Sequence, residues 1–437
     1  MSNPDVVIVG AGLAGICCAR ALLKEGVSFQ LIEAGDRVGG RVRTDEVDGF
    51  LLDRGFQVLL SAYPEALEQL DYDKLQLCAF APGAIVRCDG RFFRMPDPWR
   101  EPGSFITSLL TPVGGLMDKF RLSRIRSSVL HKTIEEIFQS EDISTMQALR
   151  RRQISQPMLD RFFKPFIGGV MLDSKLTVSN RLFEFVFKMF AEGDAAVPAE
   201  GMQAIPRQLA ETLPEGSIRL NERVHSIGRN QVKLSTGEVL QSKHIVVATE
   251  GPEASRLLGF ERTVSSRSVC TLYFAAKEPP VDEPMLVLSG SSRGPINNLA
   301  VMNMVAPGYA PAGENLISIT VLGWPSRDDQ TVVSMVRGQL RHWYGLVADE
   351  WRLLRMYRIE HGLPVVSPME WQQSSRLAEG LYVCGDHRAT PSIQGAMESG
   401  RLTGEAVVRE LKGQPDPVTR VKKDEPKLTE MPDWDDD

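Results

Sequence analysis

The sequence predicts an α/β fold, in which a Rossmann-like dinucleotide-binding domain carries a β-meander and is interrupted by a discontinuous α+β domain. Three observations lead there. "VVIVGAGLAG" sets GxGxxG between an apolar run and a helical pattern, and "YVCGDHRATPSIQGAMESGR" repeats strand, glycine turn and helix near the far end. Between them, "SIRLNERVHSIGRNQVKLSTGEVLQSKHIVVATEG" alternates apolar and polar residues in three short runs divided by Asn230 and by Thr236 with Gly237.

Composition sets outer bounds. A chain of 437 residues, 43% hydrophobic, is long enough for two lobes with a substantial core. Its 50 basic residues against 56 acidic ones argue against broad electrostatic capture of nucleic acid or of an anionic membrane. Cys17, Cys18, Cys78, Cys88, Cys270 and Cys384 show no CxxC spacing, so reduced, mostly buried thiols are expected, with neither structural zinc nor a dithiol redox centre. The polar leader "MSNPD" runs straight into a strand without a secretory pattern, and no long uninterrupted apolar run occurs. A cytoplasmic location is expected, with peripheral contact to one membrane leaflet left open.

The first unit reads as a strand from Asp5 to Val9, a glycine turn, a helix from about Leu13 to Glu25, and a second strand from Ser28 to Glu33. Gly10 permits the turn, Gly12 lets a pyrophosphate approach the backbone, and Gly15 lets helix and strand pack closely. The helix start at Leu13 and Ala14 offers free N–H groups to phosphate. Glu33, followed by Ala34, stands at the distance where an acid accepts both ribose hydroxyls, which disfavours NADP and admits NAD or FAD.

The choice between them comes from "EAGDRVGGRVRT", which adds Gly39, Gly40 and Arg41 directly after the ribose acid. This stretch resembles the signature of the FAD-containing amine oxidase, phytoene desaturase and protoporphyrinogen oxidase superfamily. The resemblance implies FAD as cofactor, a GR2-type FAD-binding domain, and a glycine–arginine stretch running past pyrophosphate and flavin. "GFLLDRGFQVL" resembles the family's next element, placing Gly55, Phe56 and Gln57 against the isoalloxazine ring.

After Gly83 the pattern changes. "GAIVRCDGRFFRM" reads as a hairpin, followed by helices at Leu116 to Ile137, Thr145 to Arg152 and Gln156 to Ile167. A helix then follows Gly201, with Ile205, Leu209 and Leu213 on its core face. The resemblance places Glu200, Gly201 and Met202 in a loop beside the substrate cavity, and sets Val224 against adenine through its backbone. Thr249 and Glu250 fall at the C-terminal end of the strand Ile245 to Ala248, near the cofactor. Strands are expected at Ser268 to Ala275, Met285 to Leu288, Leu299 to Val305 and Leu316 to Leu322, with a helix from about Gln330 to Tyr344. The division expected is a FAD-binding domain made of 1–82, 199–263 and 369–412, a substrate domain made of 83–198 and 264–368, and a disordered acidic tail at 413–437.

In the last unit a short strand leads to Gly385 and Asp386, then to a helix from about Ile393. The resemblance puts Asp386 near ribityl and pyrophosphate and aims the helix start, Ser392 and Ile393, at the flavin N1–C2=O edge. Free N–H groups at Gln394, Gly395 and Ala396 would stabilise charge on the reduced flavin, Gly395 allowing close approach. Two departures narrow the activity. Ala396 stands where flavin amine oxidases present an aromatic wall, and Ser268 to Phe274 lacks the lysine they use to hold a water at flavin N5.

The expected reaction is therefore oxidation of a lipophilic substrate with hydride passing to flavin N5, as in isoprenoid or carotenoid-like desaturation or tetrapyrrole-like dehydrogenation. Oxygen or a quinone would take the electrons afterwards. An amine or amino-acid oxidase with an altered cavity, and a non-catalytic flavin-binding assembly factor, are the alternatives. His361, Glu200 and His387 are the candidate proton acceptors. A second GxGxxG and a CxxC are both missing, which sets aside reductases that pass electrons from NADPH to a disulfide. The stretch Pro102 to Lys132 combines apolar residues, Phe105, Leu109 and Leu110 among them, with a basic face that could touch a membrane.

Overall fold

Val6 and Ile8 face one packed layer and Val7 and Val9 the other, so the first apolar run folds as a central strand, Val6–Val9, buried on both sides. This and the rest of the architecture come from a computed structural model describing residues 3–104, 111–260, 262–291, 293–324, 328–366 and 373–414. The expected tail beyond residue 414, and Phe105, Leu109 and Leu110, lie outside the described residues.

Val6–Val9 belongs to a six-stranded sheet in the order Ile218–Arg219, Phe29–Ile32, Val6–Val9, His244–Val247, Leu381–Val383, Arg376–Ala378. All pairs are parallel except the last. Register brings Val9 level with Ile32 on one side and Val247 on the other, so the turn after each strand opens on one edge. Helices Leu13–Lys24 and Ile393–Leu411 cover one face, while the antiparallel meander Val224–Gly228, Gln231–Leu234, Val239–Gln241 covers the other with helix Gly251–Leu258. The two long helices touch backbone to side: a Cβ added at Gly400 would lie 2.1 Å from the Ala14 carbonyl oxygen.

A seven-stranded sheet takes its strands from the remaining stretches, in the order Arg352–Pro364, Ser266–Ala276, Asn315–Leu322, Ile296–Val301, Leu286–Ser289, Gly83–Cys88, Arg91–Pro96. Helices Leu116–His131, Ile134–Gln139, Thr145–Arg151 and Asn180–Glu192 pack beside it. Ala195–Pro198 pairs with Leu59–Leu60 and with Leu77–Ala79, knitting the early and middle chain together.

Several expectations change. The helix expected from Leu116 to Ile137 is two, because Thr133 Oγ1 accepts the Glu136 N–H while the Glu136 carboxylate accepts the Thr133 N–H, a capping box that restarts the helix. The helix expected from Gln156 passes through a wider turn at Leu159–Phe163. The apolar run to Val305 leaves the sheet after Val301 as a short helix, and Leu213 lies beyond the helix Ala204–Ala210. Helix Asn180–Glu192 and strand Arg352–Pro364 were not expected at all. The cysteines are free, and all but Cys78 are buried.

Candidate active site

The strand ends of the six-stranded sheet open on a cavity of about 680 Å³ that continues beneath the seven-stranded sheet. Gly10, Gly12, Leu13, Ala14, Glu33, Ala34, Gly39, Gly40, Arg41, Gly55, Phe56, Gln57, Val224, Thr249, Gly385, Asp386, Ser392, Ile393 and Ala396 line it. Residues from both ends of the chain thus share one wall.

The local geometry explains why. The Gly10 N–H donates to the Ile32 carbonyl at 2.8 Å, fixing the turn, and helix Leu13–Lys24 starts at Gly12 without a side-chain cap. Its first N–H groups therefore face the cavity unspent. Gly15 is not on the wall: a Cβ there would lie 1.9 Å from the Gly10 carbonyl oxygen, so its task is packing. Glu33 accepts the Ala11 N–H at 2.8 Å through one oxygen and the Gly35 N–H at 2.7 Å through the other. Each oxygen keeps acceptor capacity for a hydroxyl.

Arg41 locks the middle of the cavity, its guanidinium donating to Asp386 at 2.6 Å and to the Gly362 carbonyl at 3.0 Å. Beside it, burial pushes the Glu250 carboxyl above its ordinary range against the pull of Arg41 and His361. Gln57 donates its amide to the carbonyls of Arg41 and Arg54, leaving Oε1 buried without a partner among the described residues. Thr249 Oγ1 is in the same state.

Helix Ile393–Leu411 begins one register earlier than the expected N–H set requires. Ser392 is the N-cap: its Oγ takes the Gly395 N–H at 3.1 Å, and its carbonyl takes the Ala396 N–H at 3.0 Å. Gly395 and Ala396 have no free N–H to offer, and the unspent donors shift to Ile393 and Gln394. Neither Gln394 nor Gly395 is on the wall, and the Gln394 side chain accepts the Glu65 N–H at 2.9 Å instead.

The three candidate proton acceptors are not on the wall. Glu200 is exposed and paired with Arg207, because the loop turns its backbone inward: the Met202 N–H donates to Asp53 at 3.0 Å and the Gln203 N–H to Thr44. His361 stands behind the wall with Nδ1 2.6 Å from Ser266 Oγ. His387 is buried under Gly385 with both ring nitrogens unpartnered among the described residues, and burial pushes it down to about 4, so it is neutral near pH 7.

The far half of the cavity was missed by sequence reasoning. Leu60, Tyr63, Phe166, Val170, Met171, Val186, Phe190 and Leu286 line it, with Asn298, Thr320 and Tyr357 as polar points. Asp53 lies nearby, fully buried, with its carboxyl raised to about 6 by that burial against hydrogen bonds from Thr44, Met202 and Tyr309. Among the described residues, no group of His, Cys, Asp and Glu could hold a metal ion.

The profile of the flavin-containing amine oxidoreductases matches residues 13–408, nearly the whole chain. The chain belongs to this family. It is an FAD-dependent oxidoreductase. Coproporphyrinogen III oxidase of Propionibacterium freudenreichii subsp. freudenreichii is 23% identical over 393 residues, covering 73% of each chain. 4,4'-Diaponeurosporene oxygenase of Staphylococcus aureus (strain bovine RF122 / ET3-1) is 21% identical over 283 residues; the match takes in 55% of this chain and 54% of that relative, so the chain spans about half its length. Among solved structures, an oxidoreductase from Methanosarcina mazei superposes with a TM-score of 0.68 at 18% identity, over 92% of this chain and 99% of that one. Wild-type putrescine oxidase bound to putrescine gives 0.66 at 16%, over 93% and 99%. At such identities these two likenesses speak for the fold.

Three features of the cavity wall are compatible with FAD. The position a Cβ would take at Gly12 meets nothing within 4 Å, so the backbone there lies open to a pyrophosphate, and Thr249 Oγ1 and Gln57 Oε1 await polar partners.

Proposed function

We propose that this oxidoreductase dehydrogenates an extended, largely hydrocarbon substrate of the isoprenoid or carotenoid class, held in the far half of the cavity. The observation that carries the reading is the state of the charges there. No lysine lines the cavity among the described residues, and Arg41, Arg54 and Arg358 each pair with a carboxylate: Asp386 at 2.6 Å, Asp45 at 2.8 Å and Asp329 at 2.7 Å. Arg223 belongs to the opposite end, beside Glu222 and Val224. A tetrapyrrole bearing several carboxylates would require unpaired cations; a hydrocarbon requires the apolar wall that is present.

In this reading the segments 1–82, 199–263 and 369–412 form the cofactor domain, and 83–198 with 264–368 the substrate domain. Glu33 binds the adenosine ribose, Gly12 and the helix start bind the pyrophosphate, and Gly55 to Gln57 with Ser392, Ile393 and Ala396 surround the flavin. When bound, FAD supplies a two-electron acceptor, and oxygen or a quinone restores it. The chain contributes orientation and exclusion of water: Phe166, Val186 and Phe190 hold the substrate in place, and Ala396 leaves room for a bulky chain beside the flavin. Helix Leu116–His131 provides the membrane contact from which such a substrate is drawn.

Anaerobic mixing of the holoenzyme with acyclic polyenes, coproporphyrinogen and polyamines is the direct test. Polyenes should bleach the visible flavin absorption; bleaching by coproporphyrinogen alone would transfer the assignment to tetrapyrroles, and bleaching by polyamines alone would restore amine oxidation.

A further inference from the structure

Three turns meet where the strand ends of the six-stranded sheet open on the cavity. Register brings Val247 level with Val9 on one side and with Val383 on the other, so the turn at 249–250 lies between those at 10–12 and 385–386. The three are in close contact: a Cβ at Gly10 would stand 3.3 Å from the Thr249 nitrogen, and one at Gly385 would stand 3.5 Å from the Thr249 carbonyl oxygen. Glu250 is half-buried at this corner and lines the cavity together with Gly12, Arg41 and Asp386.

Its side chain does not cap the helix it precedes, Gly251–Leu258, and takes part in no ion pair or hydrogen bond among the described residues. Neither of its oxygens is sealed off, so both stay within reach of a ligand. The charged groups that face it are already engaged or bear the same sign. Arg41 gives its guanidinium to Asp386 at 2.6 Å, and Glu253, on the same helix, pairs with Arg256 at 2.7 Å. His361 comes from strand Arg352–Pro364 with Nδ1 against Ser266, and His387, beneath Gly385, is neutral near pH 7. Burial raises the Glu250 carboxyl, Arg41 and His361 pull it down, and Asp386 and Glu253 push it further up. A diphosphate at Gly12 brings more negative charge to the same corner. Like charges sharing one site do not all ionise, and the carboxyl without a partner is the one that yields.

We propose that Glu250 accompanies the FAD diphosphate as a neutral acid, a hydrogen-bond donor rather than a charge, so that each cofactor bound brings one proton with it and each cofactor lost releases one. The inference rests on the diphosphate lying at Gly12. The sign follows from linkage: the loaded site holds the proton to higher pH than the empty one, so FAD is held less tightly as pH rises between the two.

Holoenzyme dialysed to equilibrium at about pH 5.5, 7 and 8.5 gives the FAD dissociation constant from flavin fluorescence, with no turnover required. Wild type should hold FAD about tenfold less tightly at the alkaline end, the size of effect one like-charged neighbour has on a carboxyl. Glu250→Gln should bind at every pH about as tightly as wild type does in acid, and Glu250→Asp should keep the slope. Protonation of His361 would give a slope of the same sign, so His361→Gln should leave the wild-type slope in place. Weakly buffered wild type should also take up protons as FAD rebinds near pH 7, which needs no variant. A flat wild-type curve, no proton uptake, a slope that survives Glu250→Gln, or one that His361→Gln abolishes would overturn the proposal. Gly12→Val tests the placement of the diphosphate and should lose FAD at every pH. If it held FAD as wild type does, that placement would fall and the inference with it; a colourless Gly12→Val beside a flat wild-type curve would remove the inference alone.

Discussion

A methyl group at Gly12 would enter open space on the cavity wall, whereas one at Gly15 would strike the carbonyl oxygen of Gly10. The same motif therefore contains a glycine on the cavity wall and a packing glycine, and substitution should separate them. Gly12→Val should give folded, colourless protein with a circular dichroism spectrum like wild type, and Glu33→Ala a weakly loaded one; Gly15→Val should fail to accumulate as folded protein. Full FAD occupancy in Gly12→Val and Glu33→Ala would refute the site. His387 allows a second test. Burial lowers it from 6.5 to about 4, so the unfolded chain takes up the proton first. The contribution of the neutral ring is complete above about pH 6.5 and is lost as pH falls towards 4, a loss of the order of 3 kcal/mol. His387→Gln should flatten the fall of Tm across that window relative to wild type, and parallel curves would disprove it.

Elements were legible where a local signal coincided with burial. Strand Val6–Val9 and helix Leu13–Lys24 follow from the glycine turn and an unbroken apolar run. Strand Arg352–Pro364 lies at a sheet edge with its residues exposed or half-buried up to Leu363, so its sequence carries no clear alternation, yet it supplies Tyr357, Ile359 and Gly362 to the wall. Helix Asn180–Glu192 did carry a signal, Ser179 ahead of Leu182, Val186 and Met189, and attending to the cap would have found it. Likewise the position of Ser392 fixes which N–H groups remain free at the terminal helix, a matter of one residue that periodicity cannot resolve. Helix Leu116–His131 presents Leu116, Met117 and Phe120 at 66%, 58% and 56% exposure, with Arg124 exposed on the following turn. Vesicles containing anionic lipid should bind the protein, and serine at those three positions should abolish that binding; wild type that ignores such vesicles would rule out the membrane contact.

At the scale of the molecule, the half of the cavity lined by the glycine motifs was legible because its residues cluster in motifs a few positions long. The far half was not, since Leu60, Phe166, Val186, Asn298 and Thr320 come from separate elements that only the tertiary fold brings together. Among the described residues, no helix is long and apolar enough to cross a membrane. The wall that joins Gly12 to Ser392, with helix Ile393–Leu411 lying against helix Leu13–Lys24, has a further consequence for biogenesis. During translation the first glycine turn is made several hundred residues ahead of the helix that covers it. Until that helix has left the ribosome the cavity has no floor, and the nascent chain must keep the exposed apolar faces of these early strands and their helix from aggregating over that whole interval.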